Sequence, residues 1–146
     1  MAPFDTFQCA DQLIAICVGN DHLFGILAGA LGQPEWATDP RFAANVNRAA
    51  NQAQLKALME AVLKTDDAAA WYGRLEKAGI PVGLILNVYD TRKLEQIKVR
   101  GMVKDVGGSQ VPGNPIKFGA YNSLGTMIPA PELNNRGDAL RAEFSN

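Results

Sequence analysis

The chain has 146 residues, 47% of them hydrophobic and 20% charged, with a formal net charge of −1. That length suits one domain with a buried core, and a balance so near neutral leaves no field to gather nucleic acid or an anionic membrane. No apolar run approaches the roughly 20 residues that cross a bilayer, and Met1-Ala2-Pro3-Phe4-Asp5 lacks the basic and apolar regions of a signal peptide, so the expected setting is cytoplasmic.

Residues 4–9 and 13–19 read as a hairpin. Phe7, Cys9, Ile14 and Ile16 fall on one face, and Leu13, Ala15 and Cys17 on the other. The second strand is thus apolar on both faces and wants cover on both sides. With Asp11-Gln12 as the turn, Cys9 lies opposite Ile14 and Cys17 opposite Thr6. The two sulfurs are then on different faces, which argues against a disulfide. One histidine, His22, beside two cysteines is a poor supply for a His/Cys metal cluster.

Asn20-Asp21 offers an N-cap for a helix over 22–31, closed by Gly32. Residues 33–49 read as irregular, pinned to the core by Trp36 and Phe42. From Asn51 a helix carries Leu55, Leu58, Met59, Val62 and Leu63 on one stripe, with Glu60 and Lys64 as a surface pair. Thr65-Asp66-Asp67 is expected to cap a helix over 67–78 whose inner face is Trp71, Leu75 and Ala78. Gly79 and Pro81 stop that helix, and an apolar strand follows over 80–86.

Asp90 is expected to cap a short helix over 91–100, with Leu94 and Ile97 inward and Gly101 as its end. A strand over 102–106, a Gly107-Gly108 turn and a last strand at 116–118 come next. Residues 127–131 read as extended because of their prolines, and 137–144 as one or two helical turns. Paired strands with helices between them, and few parallel crossovers, predict an α+β fold: a small antiparallel sheet with an N-terminal hairpin, packed with about four helices. Residues 1–119 form the expected domain. Residues 120–146 form an extended tail too poor in apolar periodicity to fold alone.

Several residue groups invite a chemical reading, and each has a plainer one. Asp21-His22 pairs an acid with a histidine, but adjacent helical side chains point apart, and a cap is the better account. Asp66-Asp67 is a carboxylate pair without a partner, placed where a helix start favours acids. Gly107-Gly108-Ser109-Gln110 lacks the helix start that a phosphate cradle needs, so a hairpin turn fits better. Trp71-Tyr72 and Trp36 read as core. Arg41, Arg48, Arg92 and Arg100 are scattered and read as solvated surface. Cys9 and Cys17 sit in apolar strands with no basic neighbour, as inert small hydrophobes.

Six stretches in order resemble the C-terminal part of class III CoA-transferases, the CaiB–BaiF type that includes formyl-CoA and carnitine-CoA transferases. They are Phe4-Asp5-Thr6-Phe7 with Ala10-Asp11, Leu13-Ile14-Ala15-Ile16 and Gly19-Asn20-Asp21; Leu31-Gly32-Gln33-Pro34-Glu35 with Asp39-Pro40-Arg41-Phe42; Ala78-Gly79-Ile80-Pro81-Val82-Gly83; Arg100-Gly101-Met102-Val103; Gly113-Asn114-Pro115-Ile116-Lys117-Phe118; and Pro129-Ala130-Pro131-Glu132-Leu133. Departures from the family pattern are Val82 and Leu84 for its Cys and Pro, Gln12 for a Gly, Leu94-Glu95 for Asp-Pro, and Asn134-Asn135-Arg136-Gly137 for Gly-x-His-Thr.

The resemblance implies a small domain and tail. In the family, a large domain binds CoA and supplies the aspartate that attacks the acyl-CoA thioester. A glycine-rich loop closes over that site, and two chains interlock as a dimer. The resemblance places this sequence after that loop. It therefore implies no catalytic, cofactor-binding or metal-ligating residue here, and CoA only together with a partner large domain. The expected function is a stand-alone or truncated small domain that does not transfer CoA alone. The alternatives are a subunit of a split acyl-CoA:carboxylate CoA-transferase completed by a separate large-domain chain, and an independent small-molecule or protein binding module; the possible partners are such a large-domain chain or a second copy by self-association. Neither nucleic acid nor membrane is expected as a partner.

Overall fold

The structure, a computed structural model, describes residues 1–119 and 127–145. The chain divides into two compact units, Met1–Ile85 and Leu86–Asn146.

In the first unit, β1 (Phe4–Gln8), β2 (Leu13–Cys17) and β3 (Val82–Leu84) form an antiparallel sheet in that order. Phe7 lies opposite Ile14, Ile14 opposite Leu84, and Cys17 opposite Phe4 rather than Thr6. The expected register is corrected by two residues because the turn is centred one residue earlier, on Ala10-Asp11 rather than on Asp11-Gln12. Residues 9–12 make it, with the Cys9 N–H donating to the Gln12 carbonyl at 3.0 Å. A slip of two leaves every side chain on its face. Phe7, Cys9, Ile14 and Ile16 are buried, as their alternation requires, and both cysteines are free thiols.

Helices cover that buried face. In α1 (Asp21–Ala30), Asn20 Oδ1 accepts the Leu23 N–H at 2.8 Å, and Phe24, Leu27 and Ala28 turn inward. Residues 33–49 are more regular than expected. They hold a 3-10 turn at Pro34–Ala37 and α2 (Asn45–Ala50), both too short for an apolar period to register. Trp36 and Phe42 are buried there, as anticipated. In α3 (Gln52–Leu63), Leu55, Met59 and Leu63 are buried and Leu58 and Val62 flank them. In α4 (Ala68–Lys77), Trp71 and Leu75 are buried, and the Trp71 indole N–H donates to the Leu63 carbonyl at 2.8 Å.

Gly79 ends α4 at φ +77°, a left-handed conformation that a Cβ disfavours. The Ile80 N–H then reaches the Leu75 carbonyl at 3.0 Å, and the Gly79 N–H the Glu76 carbonyl at 2.9 Å. Leu75 and Ile80 are both buried, so the chain leaves the helix already inside the core and enters β3. The expected caps of α4 are corrected. Asp67 makes no side-chain cap bond; Asp11, from the β1–β2 turn, accepts the Ala68 N–H at 2.8 Å. Asp66 pairs instead with Arg74.

The second unit holds α5 (Val88–Thr91), α6 (Glu95–Val99), the hairpin β4 (Val103–Val106) with β5 (Ser109–Pro112), and α7 (Gly137–Glu143). The single helix expected over 91–100 is two short ones. Asn87, not Asp90, caps the first, accepting the Asp90 N–H at 2.8 Å. Leu94 is exposed at the join, while Ile97 is half-buried. Residues 116–118 are not a strand. Gly107 and Gly108, at φ +61° and +82°, make a two-residue primed turn, so the partner of β4 begins at once with Ser109.

The start of the expected tail, 120–126, lies outside the described residues. Residues 127–131 carry no regular element, and α7 occupies the expected terminal turns. Among the described residues, every member of the main buried apolar cluster comes from the first unit. The small antiparallel sheets and their helices confirm the α+β class, with more short helices than the four expected.

Candidate functional site

Arg48 departs furthest from its expected place. It is fully buried rather than solvated. Its Nε donates to the Ala2 carbonyl at 2.6 Å, Nη1 to the carbonyls of Phe42 and Ala43 at 2.8 and 3.2 Å, and Nη2 to Asp21 Oδ1 at 2.6 Å. The guanidinium lies 4.3 Å from the Phe24 ring centre. Asp21 is thereby engaged with Arg48 and not with His22, which is exposed. The cluster ties residue 2, the 42–43 turn and the start of α1 together. Its hydrogen bonds close on the chain itself, so its work is structural.

The other candidates also resolve into local roles. Arg41 pairs with Asp39 at 2.5 Å, and Arg100 donates to the Pro115 carbonyl at 3.1 Å. Trp36 and Trp71 are core, while the half-buried Tyr72 donates its hydroxyl to Glu76 at 2.7 Å. Burial pushes the Cys9 thiol up to about 11, with the Asp11 and Asp67 carboxylates adding to it, so little thiolate is available to attack anything. The Gly107-Gly108 turn runs into a strand, without the oriented N–H groups of a helix start. Among the described residues no group of three or more His, Cys, Asp or Glu side chains is placed to hold a metal ion. No helix among them is long and apolar enough to cross a membrane.

Within the second unit, Val88, Ile97, Met102 and Val111 line an open cleft of about 430 Å³. Arg92 stands at it, donating to Gln110 Oε1 at 2.6 Å. Arg92 and Lys93 both lie over the Tyr89 ring, at 4.2 and 4.1 Å. These cations are satisfied by their own neighbours, and no reactive group joins them.

The sheet of the first unit is the more telling surface. Its outer face carries Phe4, Thr6 and Gln8 on β1, and Leu13, Ala15 and Cys17 on β2. Gly83 and Ile85 extend it along β3. No position on it is charged. Phe4 is 56% exposed, Leu13 38% and Ile85 43%, while Thr6, Gln8, Ala15, Cys17 and Gly83 are half-buried, so among the described residues the side of β2 away from the helices is covered only in part.

The two sheet edges differ as well. On β1 the outward Thr6 N–H donates to Asp5 Oδ1 at 2.7 Å, and the Gln8 N–H to Glu60 Oε1 at 3.2 Å. Asp5 also takes an ion pair from Lys56 at 2.7 Å, which, with the Thr6 N–H, holds its carboxyl below the usual range. On β3, Pro81 and Ile85 bond to β2, so the N–H groups of Val82 and Leu84 point away, and among the described residues neither has a partner.

The chain matches the family model for CoA-transferase family III over residues 1–137. It is 46% identical over 145 residues to the acetyl-CoA:oxalate CoA-transferase of Acetobacter aceti, a match covering 99% of this chain and 37% of that protein. It is 23% identical over 138 residues to the succinyl-CoA:glutarate CoA-transferase of Homo sapiens, covering 91% of this chain and 31% of the other. A crystal structure of a CAIB/BAIF family protein from Brucella suis superposes with a TM-score of 0.84 at 38% identity, covering 98% of this chain and 38% of that one. The chain thus spans well under half the length of these relatives, and it belongs to CoA-transferase family III, of which it represents the small-domain portion.

Proposed function

We propose that this chain serves as the small-domain portion of a family III acyl-CoA:carboxylate CoA-transferase and catalyses no transfer by itself. A large-domain portion, such as the one that makes up the rest of its relatives, completes the active site. Residues 1–119 act as the body of the small domain and 120–146 as a tail docked against that partner. CoA is bound only in the completed assembly. A cytoplasmic setting is part of this reading.

The observation that carries this reading is the lopsided match: 99% of this chain, but 37% of the acetyl-CoA:oxalate CoA-transferase. The identity of 46% also favours acetyl-CoA as donor and a small dicarboxylate such as oxalate as acceptor. In such a transfer a carboxylate attacks the thioester carbonyl and the acyl and CoA groups are passed on in turn. The residues described here supply none of those steps. They supply an α+β support.

The purified chain, incubated with acetyl-CoA and oxalate, is expected to form no oxalyl-CoA above the uncatalysed background. Steady formation of oxalyl-CoA by the chain alone would overturn the proposal.

A further inference from the structure

We infer that the uncharged outer face of the β1–β2–β3 sheet is the surface on which the large-domain portion of the transferase docks, an inference that rests on the function proposed above. Antiparallel sheets that face water on one side carry polar or charged residues there. This one carries Phe4, Leu13 and Ile85 exposed, with Ala15, Cys17 and Gly83 between them, Thr6 and Gln8 as its polar members and no charge, in a chain that is 20% charged. Exposed apolar side chains gathered on one uncharged face with polar neighbours fit an interaction site.

The edges add direction. The β1 edge is closed to further pairing by the Asp5 and Glu60 carboxylates. The β3 edge keeps the N–H groups of Val82 and Leu84 free among the described residues. An arriving partner therefore finds its apolar contacts across the face, and further hydrogen bonds on the β3 side.

The occupant follows from the comparisons. The relatives match this chain over nearly all its length and continue for more than half of theirs. Helices already cover the inner face of the sheet, whereas the outer face presents the exposed Phe4, Leu13 and Ile85 to that remaining protein. A second copy of the chain is the competing occupant.

Cys17 is a built-in reporter. It is a free thiol, half-buried on the outer face at the end of the central strand, directly opposite the exposed Phe4, whereas Cys9 lies in the core. The chain would be co-expressed with the remaining portion of the Acetobacter aceti acetyl-CoA:oxalate CoA-transferase. The isolated pair would be alkylated with iodoacetamide and each cysteine followed by peptide mass spectrometry.

In the pair, Cys17 is expected to react at least about tenfold more slowly than in the free chain, as a protection of about 1.4 kcal/mol gives. Cys9 stays unlabelled in both. Phe4→Lys, a charge that an edge strand tolerates, should lower recovery of the pair by about tenfold or more while leaving the urea midpoint of the free chain unchanged. Leu13→Lys should act likewise.

Failure to form a pair, or a pair in which Cys17 reacts as fast as in the free chain, would overturn the inference. So would concentration-dependent protection of Cys17 in the free chain, which would assign the face to a second copy. A pair that turns over substrate with Cys17 unprotected removes the docking face and leaves the proposed function. A pair that protects Cys17 without turnover removes the function and leaves the docking face.

Discussion

Arg48 holds more of this unit together than any other polar residue described. Its partners are the carbonyls of Ala2, Phe42 and Ala43, which are backbone atoms and have no signature in sequence. That is why an isolated arginine in Asn47-Arg48-Ala49 reads as surface. Removing it leaves those carbonyls without their donor and opens a cavity beside Phe24. Arg48→Ala is therefore expected to cost about 3–5 kcal/mol in urea unfolding. Asp21→Asn should cost less, because the Asp21 carboxylate is open to water on its other side.

Cys9 gives a pH dependence with a definite sign. Its thiol is raised from 9.0 to about 11 in the folded chain, mainly by burial. The folded state thus keeps a proton that the unfolded state has released. The resulting stability is fully present below pH 9 and is lost as pH rises through about 11. Urea midpoints measured below pH 9 and near pH 11 should fall further in the wild type than in Cys9→Ala. Equal declines would remove the effect.

Among the elements, those with a long apolar period were legible. The stripes of α3 and α4, the alternation in β1 and β2, and the stop at Gly79 all follow from residues within one or two turns of each other. The parts that were not legible depend on contacts distant in sequence or on elements too short to show a period. The cap of α4 is the clear case. Asp66 and Asp67 lie next to the helix and look like its caps, but Asp11 reaches its first N–H from 57 positions away. This leads to a paired test. Asp11→Ala should lower the urea midpoint measurably, and Asp67→Ala should leave it nearly unchanged; the reverse order would mean that the local cap is the one in use. The second unit was the least legible, with two helices of four and five residues and a hairpin whose second strand follows directly on its turn.

At the scale of the whole molecule, the most informative feature is a mismatch between pattern and cover. Leu13, Ala15 and Cys17 make β2 apolar on the side away from the helices, and this much was plain in the sequence. The structure leaves Leu13 exposed and Ala15 and Cys17 half-buried on that side, with Phe4 and Ile85 exposed beside them. The same chain matches relatives well over twice its length. The function and docking face proposed above join these facts: a sheet face that receives the remainder of a family III CoA-transferase.

The most direct measurement of that account is a titration. The remaining portion of the Acetobacter aceti enzyme is held at fixed concentration, this chain is added in steps, and oxalyl-CoA formation from acetyl-CoA and oxalate is followed. Turnover is predicted to be absent for either part alone, to rise with added chain and to level off at equimolar mixing. Turnover by one part alone, or none at any ratio, would contradict the claim that this chain completes such an enzyme.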